Sequence, residues 1–305
     1  MSSAYGLLLL VAGLVLVVAG AEAFFTGLLA SASRLRISAF VLAVVVSGFE
    51  LENLAAGIAA NLKGLPNVAA GTFLGGTTFL ALCVTGLSAV ASPIRAPLPG
   101  PVLAWSAAAP LPLLAVGLDG SLSRTDGAVL VVWFSVCLAG LVYSGRHVMG
   151  STLSRARRLP FLRMLAGLAV LTTGGWVLGE GMRRVVANVG IPESLLGNTA
   201  VAAAVEAEEV ARVAVPARRG RGDVAIANVL GTIAHFAAFN AGVIALVRPL
   251  ELDSATRDLH VPVAAGSVAV LVVALWTKRG LNRLDGALLL TAYAAYVAAA
   301  IVISV

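Results

Sequence analysis

Gly48-Phe49-Glu50-Leu51-Glu52-Asn53-Leu54 and Ala204-Val205-Glu206-Ala207-Glu208-Glu209-Val210 each sit inside an apolar run long enough to cross a bilayer, and they superimpose at a constant offset of 156 residues. At the same spacing Gly64 falls on Gly220, Val68 on Val224, Ala69 on Ala225, Leu74 on Leu230, Gly75 on Gly231, Gly86 on Gly242 and Pro93 on Pro249, without a gap. A repeat whose shared acidic residues lie at membrane depth is the build of many secondary transporters, whose substrate site lies where the repeats meet near the midplane. Five carboxylates at that depth, Glu50, Glu52, Glu206, Glu208 and Glu209, imply cation transport.

Composition sets the rest of the frame. The chain has 305 residues, 59% hydrophobic and 12% charged, and a mean hydropathy of +0.97, too apolar for a soluble protein. At roughly 20 apolar residues per spanning helix, the sequence predicts an all-α polytopic membrane protein. Its ten transmembrane helices fall at about 4–25, 38–61, 67–92, 101–118, 127–145, 161–180, 195–216, 223–247, 261–277 and 284–304. The halves are 1–150 and 151–305, the first ending in the start of a basic cytoplasmic linker. Five helices per half is an odd number, so the second half enters the membrane in the opposite sense and the repeats are inverted.

The net charge of +6 is explained by orientation rather than by nucleic acid. With the amino terminus outside, fourteen of the 21 basic residues fall in inner loops, six in outer loops and Arg212 alone within a span. Both termini are therefore expected outside a cell membrane, of prokaryotic type given the short loops. The first apolar stretch has no preceding basic region or small-residue cleavage site and reads as a retained span. Cys83 and Cys137 lie in spans without paired spacing, which leaves no disulfide framework or zinc cluster. No phosphate-binding glycine loop, metalloprotease motif or nucleophile elbow is present, so the reading is a transporter without cofactor, not an enzyme.

Residues three apart on a helix share a face, so Glu50 lies with Asn53 and Glu206 with Glu209. Glu52 and Glu208 project roughly 200° further round. A single charge at the centre of a spanning helix costs roughly 2.5–3.5 kcal/mol, so five acids require cations, protons or a basic partner. Arg212, three residues from Glu209 and four from Glu208, supplies part of the alternative, a structural polar cluster. Hard divalent cations prefer oxygen ligands, and carboxylates with Asn53, Thr77, Thr232 or backbone carbonyls suit calcium or magnesium. Missing Cys and paired His in these segments argue against a soft metal. Crowded carboxylates titrate as a coupled group, which makes protons a candidate counter-ion.

His235 reads either as a proton relay or as a hydrogen-bonded packing residue. Glu22 and Glu180, near the ends of spans, read as interfacial caps or pairs. Asp126 and Asp285 read as helix starts, where an acid satisfies free backbone amides. Asn228 and Asn240 either line the centre or join helices.

The segment Gly190-Ile191-Pro192-Glu193-Ser194-Leu195-Leu196-Gly197-Asn198-Thr199-Ala200-Val201-Ala202, with Ala217-Arg218-Arg219-Gly220 and Asp223-Val224-Ala225-Ile226-Ala227-Asn228-Val229-Leu230-Gly231-Thr232, resembles the second alpha-repeat of the calcium/cation antiporter superfamily, which includes the sodium/calcium exchangers. The first half resembles the matching repeat through Ile37-Ser38, Lys63-Gly64 and the stretch from Gly71 to Gly76. Arg124-Thr125-Asp126-Gly127-Ala128 and Arg283-Leu284-Asp285-Gly286-Ala287 open the last helix of each half as in that family. The resemblance implies ten helices in inverted five-helix repeats and exchange of calcium against sodium or protons. The family's motif is Gly-Thr-Ser-x-Pro-Glu in each repeat. Here Glu209 takes the place of its Glu and Asn53 that of its counterpart; Glu52 and Glu208 replace the Pro, and Glu50 and Glu206 the Ser. Gly75-Gly76-Thr77 and Gly231-Thr232-Ile233 stand where the partner helices have Gly-Ser-Asn, and Asn228 follows the family pattern.

Arg212 stands where the family has a small or hydroxyl residue. Because a guanidinium does not deprotonate, at the site it acts as a permanent internal cation that fills volume a second ion would use. That implies fewer ions per cycle than in sodium/calcium exchangers, with protons as counter-ion. Alternatively Arg212 snorkels to the inner surface and serves orientation. The partners expected are inorganic cations and the lipid bilayer, with no nucleic acid.

Overall fold

The computed structural model describes residues 2–48, 51–148, 159–186 and 207–304. The first half contains α1 (Ser2–Leu35), α2 (Ala39–Ser47), α3 (Leu51–Leu62), α4 (Pro66–Thr78), α5 (Thr85–Ala91), α6 (Gly100–Ala108), α7 (Leu111–Gly117) and α8 (Arg124–Gly145). The second contains α9 (Pro160–Val186), α10 (Ala207–Arg218), α11 (Gly222–Ala234), α12 (Ala241–Val247), α13 (Val261–Lys278) and α14 (Arg283–Ser304). Two-residue strands β1 (Ile94–Arg95), β2 (Ser121–Leu122), β3 (Leu250–Glu251) and β4 (Gly280–Leu281) lie in the connections. Among the described residues nine helical runs are long and apolar enough to cross a membrane. Of the seventh predicted span, 195–216, only α10 lies within the described residues.

The 156-residue spacing recurs in the backbone. α4 passes through a π-helical turn, Phe79–Val84, into α5, and α11 passes through another, His235–Asn240, into α12, each boundary 156 residues after its counterpart. The helix ends match as well. Gly64 and Gly220 both take left-handed backbone, at φ 76° and 71°, a conformation glycine enters without steric cost. The next amide in each closes the same cap, Leu65 N donating to the Ala60 carbonyl at 3.0 Å and Arg221 N to the Pro216 carbonyl at 2.8 Å. α8 and α14 begin with matching side-chain caps. Ser123 Oγ accepts from Asp126 N while the Asp126 carboxylate accepts from Ser123 N, and Asn282 and Asp285 exchange the same pair of bonds. Lys278 adds an ion pair to Asp285.

Two boundaries differ from the sequence expectation. The first span does not stop near residue 25, because Ala- and Leu-rich sequence keeps α1 helical to Leu35, and the chain turns only at Arg36, which has φ 57°. The fourth, expected as one helix over 101–118, is broken into α6 and α7 at Pro110, which lacks the amide that a continuous helix needs.

Packing of α1 against α9 is set by glycines spaced seven apart. Gly13 lies opposite Leu178, Gly20 opposite Leu171 and Gly27 opposite Met164; Gly167, Gly174 and Gly181 lie opposite Phe24, Val17 and Leu10, so the helices run antiparallel. A Cβ on Gly13 would fall 2.6 Å from the Leu178 nitrogen and one on Gly181 2.7 Å from that of Leu10, so backbone meets backbone. The halves also interlock elsewhere. β1 pairs with β4 (Ile94 with Leu281) and β2 with β3 (Leu122 with Leu250), both antiparallel. Gly86 packs against the Gly286 carbonyl and Gly127 against the Gly242 carbonyl.

The centre is made by the two runs through the π turns. The most apolar window of Gly222–Val247 is 83% buried and that of Pro66–Ala91 67%, against 11% for Arg283–Ile303, which faces outward. Helices apolar all round must be buried or lipid-facing. The buried pair carries Thr77, Asn228, Thr232 and His235.

Candidate cation site

Ser47 closes α2, and its carbonyl is a point where the halves of the chain meet. Arg212 Nη1 donates to it at 3.1 Å and Thr232 Oγ1 at 3.1 Å. A carbonyl has two lone pairs, and both are engaged by side chains from α10 and α11. Glycines permit this approach. A Cβ on Gly231 would lie 2.5 Å from the Val44 carbonyl oxygen, and one on Gly48 would overlap the His235 ring.

Arg212 turns inward and does not snorkel; it is 3% exposed. Its Nη2 lies 2.7 Å from Glu208 Oε1 and 2.6 Å from Glu209 Oε1. Helical spacing explains how one guanidinium reaches both, since the acids stand three and four residues before it on α10. Glu209 is 2% exposed. Burying one ion costs several kcal/mol, so these three charges are tenable at this depth only together. Asn228 Nδ2 ties the Arg212 backbone carbonyl to α11 at 2.9 Å, while its Oδ1, buried, has no hydrogen-bond partner among the described residues.

Glu52 stands in the first turn of α3, exposed, and within Coulomb range of both Glu208 and Arg212. Asn53 beside it is half-buried. Thr77 is fully buried on α4, and its hydroxyl donates to its own helix at the Phe73 carbonyl, 2.7 Å away. His235 Nδ1 lies 2.8 Å from the Gly231 carbonyl, and its ring packs edge-on to Phe134 at 4.5 Å. Glu50 and Glu206 lie outside the described residues. Glu22 and Glu180 belong elsewhere: Glu22 pairs with Arg219 at 3.0 Å and Glu180 with Arg184 at 2.6 Å.

The structure thus gathers Glu208, Glu209, Asn228 and the Ser47 carbonyl around Arg212, with Thr232 on the same Ser47 carbonyl. Among the described residues no three His, Cys, Asp or Glu form a metal-holding group; the donors are two carboxylates, a carbonyl, a hydroxyl and an amide. Ser47, whose carbonyl joins α10 and α11 to α2, is the position the sequence reading missed. Its signal was the Ser47-Gly48 pair ahead of the acidic segment, since a helix stopping there leaves its last carbonyls free of intrahelical partners.

The family model described as "Sodium/calcium exchanger protein" matches residues 5–143 and 159–302. The putative antiporter CaxA of Alkalimonas amylolytica is 27% identical over 309 residues, covering 93% of this chain and 95% of its own. The inner membrane protein YrbG of Escherichia coli K12 is 28% identical over 294 residues, covering 87% of each. Among solved structures, the sodium-calcium exchanger NCX_Mj soaked with zero Na+ and Ca2+ superimposes with a TM-score of 0.82 at 21% identity, over 96% of this chain and 98% of that one.

Proposed function

The chain belongs to the sodium/calcium exchanger protein family, and we propose that it is a secondary antiporter exchanging a divalent cation, calcium first and magnesium second, for protons or sodium. The cation is carried by Glu50, Glu52, Asn53, Glu206, Glu208 and Glu209, with oxygens of Thr77, Thr232 and Asn228. The observation that carries this reading is the meeting of Arg212 with the Ser47 carbonyl, Glu208 and Glu209, beside the Thr232 hydroxyl on the same carbonyl. An all-oxygen donor set suits hard cations, and its position between helices of different halves is where a transporter of two repeats keeps its substrate.

We further propose that residues 1–150 and 151–305 are inverted five-helix repeats working by alternating access in a prokaryotic cell membrane, with both termini outside. The recurrence of helices, π turns and glycine caps 156 residues on supports this, as do the crosswise strand pairs. In proteoliposomes, calcium uptake is expected when a proton or sodium gradient is imposed. No flux of calcium, magnesium or any other divalent ion under either gradient would sink the reading. Saturable binding without flux would instead mark a cation-binding protein on the same scaffold.

A further inference from the structure

We infer that Arg212 is a tethered cation: its guanidinium permanently holds a place that a free monovalent ion would otherwise take among the Ser47 carbonyl, Glu208 and Glu209. This deepens the antiporter proposal and rests on reading the cluster as a cation site.

Three oxygens from two separate helices meet the guanidinium at 3.1, 2.7 and 2.6 Å. Two are carboxylate and one is a backbone carbonyl that also accepts from Thr232. Oxygens of this type, negative and close together, are the donor set that hard metal cations take. The occupant differs from a metal ion in two ways. It is covalently part of α10, so it cannot leave with the substrate, and it does not lose its proton at any working pH. The charge it contributes is therefore constant through a transport cycle.

The surroundings fit an occupant fixed in place. Asn228 Nδ2 holds the Arg212 carbonyl at 2.9 Å, anchoring the backbone from which the side chain extends. Glu209 and Arg212 are 2% and 3% exposed, so neither ion of this pair is screened by water. Glu52, by contrast, is exposed while remaining within Coulomb range of Glu208 and Arg212. Under this proposal Glu52 is left to an exchanging cation, while the Arg212 side of the cluster is already filled. One monovalent position is thereby removed from exchange.

The test uses purified full-length protein in detergent, with thermal unfolding followed in sodium, potassium, low-millimolar guanidinium and N-methylglucamine chlorides at constant ionic strength. Arg212→Ala is expected to gain a saturable rise in midpoint with sodium and with guanidinium ion that wild type lacks. Arg212→Gln, which keeps a polar group toward Ser47, should gain the sodium response, and Arg212→Ala combined with Glu209→Gln should lose both. Arg212→Ala and Arg212→Gln that fold yet ignore all three cations overturn the inference, as does a response that survives Glu209→Gln. If neither variant folds in any of these salts, the side chain is structural cement and the inference is overturned too. The readout needs no transport: wild type without gradient-driven flux defeats the antiporter proposal alone, whereas cation-insensitive variants of a transporting protein defeat the tethered cation alone.

Discussion

At Arg212 three physical effects compete, and their magnitudes rank the consequences of removing each partner. Arg212→Gln leaves buried Glu209 and half-buried Glu208 without their cation; breaking a buried pair, here that with Glu209, costs about 3–5 kcal/mol. Thr232→Val removes one of two bonds to the Ser47 carbonyl, which keeps the other, and a single neutral hydrogen bond contributes about 1 kcal/mol. Glu209→Gln falls between, because Arg212 keeps Glu208. Unfolding midpoints in sodium-free buffer are expected to fall most for Arg212→Gln, less for Glu209→Gln and least for Thr232→Val. A Thr232→Val loss as large as that of Arg212→Gln would mean that the carbonyl contact, not charge compensation, holds this centre together. Sequence singled out Glu208 and Glu209 because residue type and membrane depth mark an expensive group, and Asn228 and Thr232 through the family resemblance. It left Arg212 between two roles. Spacing says which residues share a face, but the direction taken by a long flexible side chain depends on the Ser47 carbonyl, 165 residues away in the chain.

Helices were legible wherever glycine and proline punctuate apolar runs. The offset read from Gly64 and Gly220 also relates the π turns Phe79–Val84 and His235–Asn240, whose boundaries no periodicity argument predicted. What could not be read was the antiparallel match of α1 to α9, because a glycine every seventh residue does not say which partner it faces. These glycines make a graded prediction. At Gly64 and Gly220 nothing lies within 4 Å of an added Cβ, so Gly64→Ala and Gly220→Ala meet only the left-handed backbone penalty, about 1–2 kcal/mol each. At Gly20 an added Cβ runs into the Leu171 backbone, which cannot rotate away. Gly20→Ala must separate α1 from α9, at about 1–3 kcal/mol or more. Thermal unfolding of the three variants checks the order. Equal unfolding shifts would show that the seam is not close-packed in the membrane.

For the whole molecule, the decisive relation is the sense in which the halves cross. α1 and α9, the first helices of each half, run antiparallel. The strand following α5 pairs with the one preceding α14, and the strand following α12 with the one preceding α8, both antiparallel. Parallel halves would need the two members of each corresponding pair on the same membrane face. The proposed inverted halves place them on opposite faces, so β1 and β4 share one side and β2 and β3 the other. Inverted halves of five helices also require both chain ends on one side and the basic connection at 146–158 on the other. The proposed orientation puts that connection in the cytoplasm, because Arg and Lys are in excess in it and in the loops on its side. The two native thiols, Cys83 and Cys137, are first replaced by Ala, and single cysteines are then placed at Ser3, Ser151 and Ser304. In intact cells a membrane-impermeant maleimide is expected to label Ser3→Cys and Ser304→Cys, and to reach Ser151→Cys only after lysis. The opposite pattern would reverse the orientation while keeping the inverted halves. Labelling one terminus from each side would mean an odd number of crossings, and the two five-helix repeats would fall with it.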